Sequence, residues 1–341
     1  MIPLDKMKRV EIFCGTGGVG KTTISASRAL FLAKNKKVLL ITIDPSKRLK
    51  QVLGIDESLS GKLNKVELDA ESKGHLDCLL LSPKTSFERL IGTENKNNII
   101  ETLSKPYGGM NEIAAIIELH YWFNKKEHDF IILDTPPGHH FIDFLEATKK
   151  INAFFDKTFA DIFIHLGKEK GSKGIIGKLI NTGIDKLLSL LESVTGENFV
   201  GEFTSAVHIL YTNREKFIEA INIDKILLSS ENSNWFLVSS LDQLKSKDAD
   251  DMLHAINNFR KGDSYLVMNK SWAEHLSNWN PQSHGQQMLK EKLESGEREI
   301  SDISKQNNVL LLKFPEIFSE DPFQQVKELI SNWEVPEVTN D

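Results

Sequence analysis

The chain has 341 residues, 40 % hydrophobic and 26 % charged, enough apolar side chain for a sizeable core and too much for wholesale disorder. A net charge of −6 leaves no basic surplus for a chain-wide phosphate-binding surface, so nucleic acid is not an expected partner. The only cysteines, Cys14 and Cys78, exclude within one chain a disulfide framework, a Cys-rich structural zinc site and a four-cysteine iron–sulfur cluster.

The length fits two domains, or one large α/β domain carrying an insertion. No apolar run reaches the roughly 18 residues that a bilayer span needs, and residues 1–10 lack the apolar stretch of a secretory signal. The expectation is a cytoplasmic protein.

Residues 10–14 read as a first strand, followed by a glycine-rich turn over 15–20 and a helix over 21–34. Residues 37–43 form a nearly continuous apolar run, the mark of a strand covered on both faces. Strand, turn, helix and strand make a βαβ unit with an expected right-handed crossover. Further strands are expected at 78–81 and 130–133, with helical stretches around 88–91 and 113–123 between them and a turn at Gly108-Gly109.

Residues 151–228 change character. Phe155, Phe159 and Phe163 recur every four residues beside Phe154, and Ile180, Ile184, Leu187, Leu188 and Leu191 share a second helical face. A third helix is expected within 203–221, and a Lys- and Gly-rich loop over 168–178. Strands resume at 235–239, 264–269 and 309–314, with helices at 248–259 and 285–296 between and around them. The alternation predicts a doubly wound, mostly parallel α/β sheet with a helical insertion. Residues 8–150 and 229–335 would form a nucleotide-binding core, and 151–228 a helical subdomain.

Residues 15–22, GTGGVGKT, fit G-x-x-x-x-G-K-[ST] with a strand before and a helix after. Glycines at such a loop let backbone N–H groups turn inward against phosphate, and the helix N-terminus adds the positive end of its dipole. Lys21 can reach the β- and γ-phosphates of ATP, and the Thr22 hydroxyl can ligate the Mg²⁺ that bridges them. The competing reading is a plain glycine turn with a solvated lysine.

Asp44 and Asp134 each close a core strand and stand just before a proline or a Thr-Pro. Ligands of open parallel sheets bind beyond the carboxyl ends of the strands, so both aspartates belong on the side of the phosphate loop. An acid there can orient and deprotonate water, or hold the water shell of a metal. A lone aspartate at such a place more often caps a turn; two beside a phosphate loop favour the chemical role.

The runs GTGGVGKTT, IDPSKRL and DTPPGHHFIDFL, in this order and spacing, resemble the ArsA/Get3 family of ATPases, also called anion-transporting ATPases. The resemblance extends to Gly108–Glu112, to Val267-Met268-Asn269 and to Phe314-Pro315-Glu316-Ile317. It implies a P-loop NTPase fold and nucleotide contacts from Gly15, Gly17, Gly18, Val19, Gly20, Lys21, Thr22 and Thr23. It implies that Asp44, in a first switch, activates the attacking water with Lys21 on the phosphates. It puts Asp134, in a second switch, behind the metal, Asn269 on adenine, and Phe314 and Pro315 against the base.

The implied working unit is a homodimer, or a heterodimer with a paralogous ATPase, serving a membrane-protein client or another membrane partner. Two alternatives are the ATPase subunit of an anion efflux system, and a weakly catalytic subunit that regulates a paralogue. The sequence also departs from the family. Where the loop usually carries a lysine reaching the partner's nucleotide stands Thr16. The second switch carries His139 and His140, which read first as capping or packing residues. The CxxC pair and the cysteine triad of some members are absent. The phenylalanine cluster and the 180–191 stripe are candidates for a client groove, although stripes at this spacing usually pack on each other.

Overall fold

Strand β1 (Val10–Gly15) is buried at every residue. It lies between β5 (Phe130–Asp134) and β6 (Ser233–Ser240), parallel to both. The computed structural model describes residues 6–43, 48–92, 110–138, 213–221, 231–257 and 263–333. Their strands make one eight-stranded sheet in the order β3-β4-β2-β5-β1-β6-β7-β8. The others are β2 (Lys37–Thr42), β3 (Leu63–Val66), β4 (His75–Leu80), β7 (Ser264–Ser271) and β8 (Leu310–Pro315). All neighbours pair in parallel except β3, which runs antiparallel along the edge of β4.

The doubly wound, mostly parallel reading is thus the observed architecture. The sequence reading passed over β3, because Leu63-Asn64-Lys65-Val66 is short, half polar and lies on an exposed edge. It also began β4 three residues late, since His75 and Asp77 interrupt the apolar run.

The helices, in chain order, are α1 (Lys21–Ala33), α2 (Arg48–Leu53), α3 (Pro83–Ile91), α4 (Met110–Lys125) and α5 (Arg214–Ile221). They continue with α6 (Gln243–Asn257), α7 (Ala273–Asn278), α8 (His284–Gln306) and α9 (Pro322–Glu328). None among the described residues is long and apolar enough to cross a membrane. Contacts divide the chain into two compact units. One holds Met1–Leu81, Trp122–Leu145 and Asp224–Asp341; the other holds Ser82–Tyr121 and Glu146–Ile223.

In the first unit, alternate strand residues build the two faces of the sheet. Phe13, Leu40, Leu76, Ile132, Phe236, Val267 and Phe314 join Ile24, Leu30 and Leu32 of α1 and Val326 of α9 in one core cluster. Lys313, which alternates with Phe314, meets Glu297 of α8 at 3.6 Å, so α8 covers the opposite face. Within the second unit, buried Glu118 of α4 accepts from Ser86 of α3 at 2.7 Å and pairs with Arg89.

One charge stands inside the central strand. Glu11 is fully buried and takes both nitrogens of the Arg28 fork, Nε at 2.8 Å and Nη2 at 2.7 Å. The guanidinium also lies 4.9 Å from the centre of the Trp333 ring, whose indole N–H donates to Ser27 at 2.9 Å. A bidentate pair satisfies a buried carboxylate and guanidinium together, but removing one partner strands the other in a medium that cannot solvate it. Glu11→Ala is expected to lower unfolding free energy by about 3–5 kcal/mol in urea titrations, and Glu11→Leu with Arg28→Met to regain most of it. A loss below about 1 kcal/mol, the scale of an exposed pair, would contradict this account.

Candidate nucleotide site

The register of the central strands brings distant residues to one edge. Phe13 of β1 pairs with Asp134 of β5, Gly15 with Val238 of β6, and Ser240 of β6 with Asn269 of β7. The phosphate loop leaves β1 at this carboxyl edge, as ligand sites of open parallel sheets require. A Cβ on Gly15 would stand 2.2 Å from the Val238 carbonyl oxygen, so only glycine lets the loop leave the sheet here. Gly20 has φ 91°, a left-handed turn that favours glycine, and a Cβ there would displace the Asn269 amide, whose Nδ2 lies 2.2 Å from that position.

α1 begins directly at Gly20, without a side chain capping its first turn. Its first N–H groups face the loop, the arrangement that holds an anion. Lys21 is buried, and its ammonium donates to the Thr16 carbonyl at 2.9 Å. The Thr22 hydroxyl donates to Asp134 Oδ2 at 2.8 Å. With its proton committed to the carboxylate, that hydroxyl keeps its lone pairs for a cation. The glycine-lined loop and this oriented hydroxyl therefore fit a nucleotide phosphate with Mg²⁺.

The chain beyond Asp134 is fastened to the same loop. Thr135 donates to the Phe13 carbonyl through both its N–H, at 3.1 Å, and its hydroxyl, at 2.8 Å. Gly138 N–H donates to the Gly15 carbonyl at 3.0 Å. On the other side, Ile43 N–H donates to the Asp134 carbonyl at 3.0 Å. Sequence reading gave Thr135 no role. Its signal was a threonine set between an aspartate that closes a strand and a proline, which only the neighbouring β1 carbonyl makes meaningful.

Among the sequence-predicted residues, Gly15, Gly17, Gly18, Val19, Gly20, Lys21, Thr22, Thr23 and Asp134 are brought together in the loop, the first turn of α1 and the adjoining strand end. Asn269 reaches them from β7, donating its amide N–H to the Val19 carbonyl at 2.8 Å. Its observed contact is therefore with the loop backbone. Phe314 is 1 % exposed, its ring 4.6 Å from that of Trp333, so the ring belongs to the core. Pro315 pairs with Ser271, and Glu316 N–H donates to the Ser271 carbonyl at 3.0 Å, which ties this loop to the segment after Asn269. Asp44, Gly108, Gly109, His139, His140, the phenylalanine cluster and the 180–191 stripe lie outside the described residues.

Both cysteines are buried. Burial pushes the Cys14 thiol up from 9.0 to about 12, with Lys21 pulling the other way. Burial raises Cys78 as well, and Asp134 and Asp77 add to the shift. A thiol so held is protonated at neutral pH and is a poor nucleophile.

A parallel sheet with a glycine-rich phosphate loop between its first strand and first helix defines a P-loop NTPase of the α/β class. Residues 8–303 match the family described as the anion-transporting ATPase, and the chain belongs to that family. It is 31 % identical over 191 residues to an ATPase GET3 of Phaeosphaeria nodorum, covering 53 % of this chain and 58 % of that relative. It is 27 % identical over 197 residues to an ATPase get3 of Aspergillus terreus, covering 54 % and 57 %. A protein of Aquifex aeolicus named for an arsenical pump-driving ATPase is 26 % identical over 161 residues, covering 44 % and 41 %. The chain thus spans about half the length of the curated relatives it matches.

The state of the thiols is directly measurable. An aromatic disulfide reagent at pH 8 should label neither cysteine in the native protein and both after denaturation; rapid labelling of the native chain would contradict their burial. Because the folded Cys14 pKa is raised, its contribution to stability is complete below about pH 9 and is lost as pH rises toward about 12. Cys14→Ala should flatten the fall in unfolding free energy across that window.

Proposed function

We propose that this protein binds Mg·ATP at its phosphate loop and hydrolyses it, using the two strand-end switches to pass the state of the nucleotide to the helical part of the chain. The observation that carries this reading is the Thr22–Asp134 hydrogen bond, 2.8 Å long, at the mouth of the loop. It joins the residue suited to the metal to the strand end suited to a switch. The family match and the relatives named as ATPases support the same activity.

In this reading the N–H groups of Gly17 to Thr23 surround the phosphates, and Lys21 exchanges the Thr16 carbonyl for phosphate oxygens. The charge on Lys21 then acts where negative charge develops as the terminal bond breaks. Mg²⁺, held through Thr22 with Asp134 behind it, would neutralise the phosphate charge. Asp44 orients the attacking water and accepts its proton, leaving ADP and inorganic phosphate. Asn269 stays on the loop through its N–H and turns its carbonyl oxygen to the adenine amino group. Pro315, at the loop tied to Ser271, supplies the apolar contact to the base; the buried ring of Phe314 supports that loop from below.

Thr135 and Gly138, bonded to the backbone of β1 and Gly15, carry a displacement of the phosphate loop into the second switch. The working unit in this reading is a cytoplasmic dimer, with itself or with a paralogue, that serves a membrane-protein client or other membrane partner. One observation favours a weakly catalytic variant of it. Thr16 is 8 % exposed and its carbonyl is occupied by Lys21, so this position supplies no cation to a partner's nucleotide. A lysine-bearing partner subunit would restore it.

Single-turnover hydrolysis with mass determination in the presence and absence of ATP tests the proposal. Wild-type protein should turn over ATP and gain a second protomer with ATP; absence of ATP binding would overturn it. Lys21→Ala should lower turnover by about 10²-fold or more. Asp44→Asn should lower it by about 10²- to 10⁴-fold while ATP binding persists, and unchanged turnover would remove Asp44 from this role. Thr16→Lys should raise turnover if the missing cation is limiting.

A further inference from the structure

The amino ends of the same strands form a second polar cluster at the pole opposite the phosphate loop. His75 and Asp77 stand two residues apart on β4 and therefore share one face of the sheet. His128 precedes β5 and is 4 % exposed. Its Nε2 lies 2.8 Å from Asp77 Oδ2, and His75 Nε2 lies 3.4 Å from the same oxygen. One ligand atom from each of the three lies within 4.8 Å of the other two.

We propose that His75, Asp77 and His128 form a binding site for a first-row divalent metal of the zinc type, independent of the Mg·nucleotide site. The donor set is two imidazoles and one carboxylate. It has too few oxygens for calcium or magnesium and suits zinc, cobalt, nickel or copper. Tetrahedral ligand atoms bound at 2.0–2.1 Å lie about 3.4 Å apart. The His75–Asp77 distance already meets that spacing. The His128–Asp77 contact needs to open by about half an ångström, and His128 takes its Nδ1–H tautomer so that the Nε2 lone pair meets the metal.

The surroundings hold this geometry and leave a way in. His128 is set between the rings of Trp122, 5.7 Å away, and His75, 5.8 Å away. The backbone beside it is fixed by Asp129, whose carboxylate accepts Lys37 N–H at 2.9 Å. The His75 side chain is 33 % exposed and that of Asp77 18 %, so the site opens to solvent and has room for a water as fourth ligand. His128 Nδ1 is buried without a hydrogen-bond partner, so Nε2 is the ring atom that meets the metal. Lys65, opposite Asp77 in the antiparallel pair, is exposed. A bound metal would pin strand β4 to the loop before β5, across the intervening β2.

Titration of the nucleotide-free full chain with zinc chloride against a chromophoric chelator tests this, with cobalt chloride as a spectroscopic probe. One metal per chain is expected, with visible cobalt absorption of a four-coordinate site and a rise in Tm with zinc. His75→Ala, at a partly exposed position, should keep the metal-free Tm. It should weaken zinc binding by more than about 100-fold, since even the outer partners of a metal ligand are worth about 10- to 100-fold. Asp77→Asn, which keeps the shape and can still bond His128, should do the same. No saturable binding by the wild type, or binding undiminished in both variants, would overturn the proposal. Loss of ATP hydrolysis through Lys21→Ala should leave zinc binding intact.

Discussion

The parallel register of β1 between β5 and β6 is the constraint on which the rest of this structure depends. Because Phe13 sits opposite Asp134 and Gly15 opposite Val238, the phosphate loop and the second carboxylate emerge at the same height. A parallel register cannot be altered by one residue without turning every buried side chain to the other face. The alternation of apolar residues that fills the two layers thus also sets the 2.8 Å between Thr22 and Asp134. Packing and site chemistry are here one geometric requirement.

That register is held by an unusual core. Phe13, Phe236 and Tyr265 stack across three adjacent strands with ring centres 4.6 and 4.9 Å apart, and Trp333 stands edge-on to the first two. Trp333 also bonds Ser27 and lies against Arg28, which reaches through to Glu11 on β1. The short turn that ends the described chain therefore braces the helix behind the phosphate loop. Apolar burial supplies most of the driving force, but it has no direction. The Glu11–Arg28 fork and the indole hydrogen bond add directionality and fix how α1 lies on the sheet.

The two ends of the sheet carry different chemistry for a common reason. At the carboxyl ends, glycines and a helix start expose backbone N–H groups, and an anion fits. At the amino ends, two histidines and an aspartate offer lone pairs, and a cation fits. Rigid parallel strands separate the two poles, so each can be altered without direct contact with the other.

Much of this was legible along the chain. The apolar runs marked seven of the eight strands, and the Gly-Lys-Thr loop with its flanking strand and helix marked the candidate nucleotide site, because both signals are local. Strand order, by contrast, is a matter of long-range pairing, and no periodicity reports which strand lies beside β1. The same holds for Thr135, which bonds a carbonyl 122 residues away, and for Phe314, whose ring the sheet turns into the core. The spacing of His75 and Asp77 places them on one face of a strand, but His128 lies 51 residues beyond Asp77 and joins them only through tertiary folding. The sequence by itself determined the α/β class, the family and the residues of the phosphate loop, since each is written in consecutive residues. The tertiary structure alone decided what those residues touch, because contacts between distant segments depend on the order and register in which the strands pair.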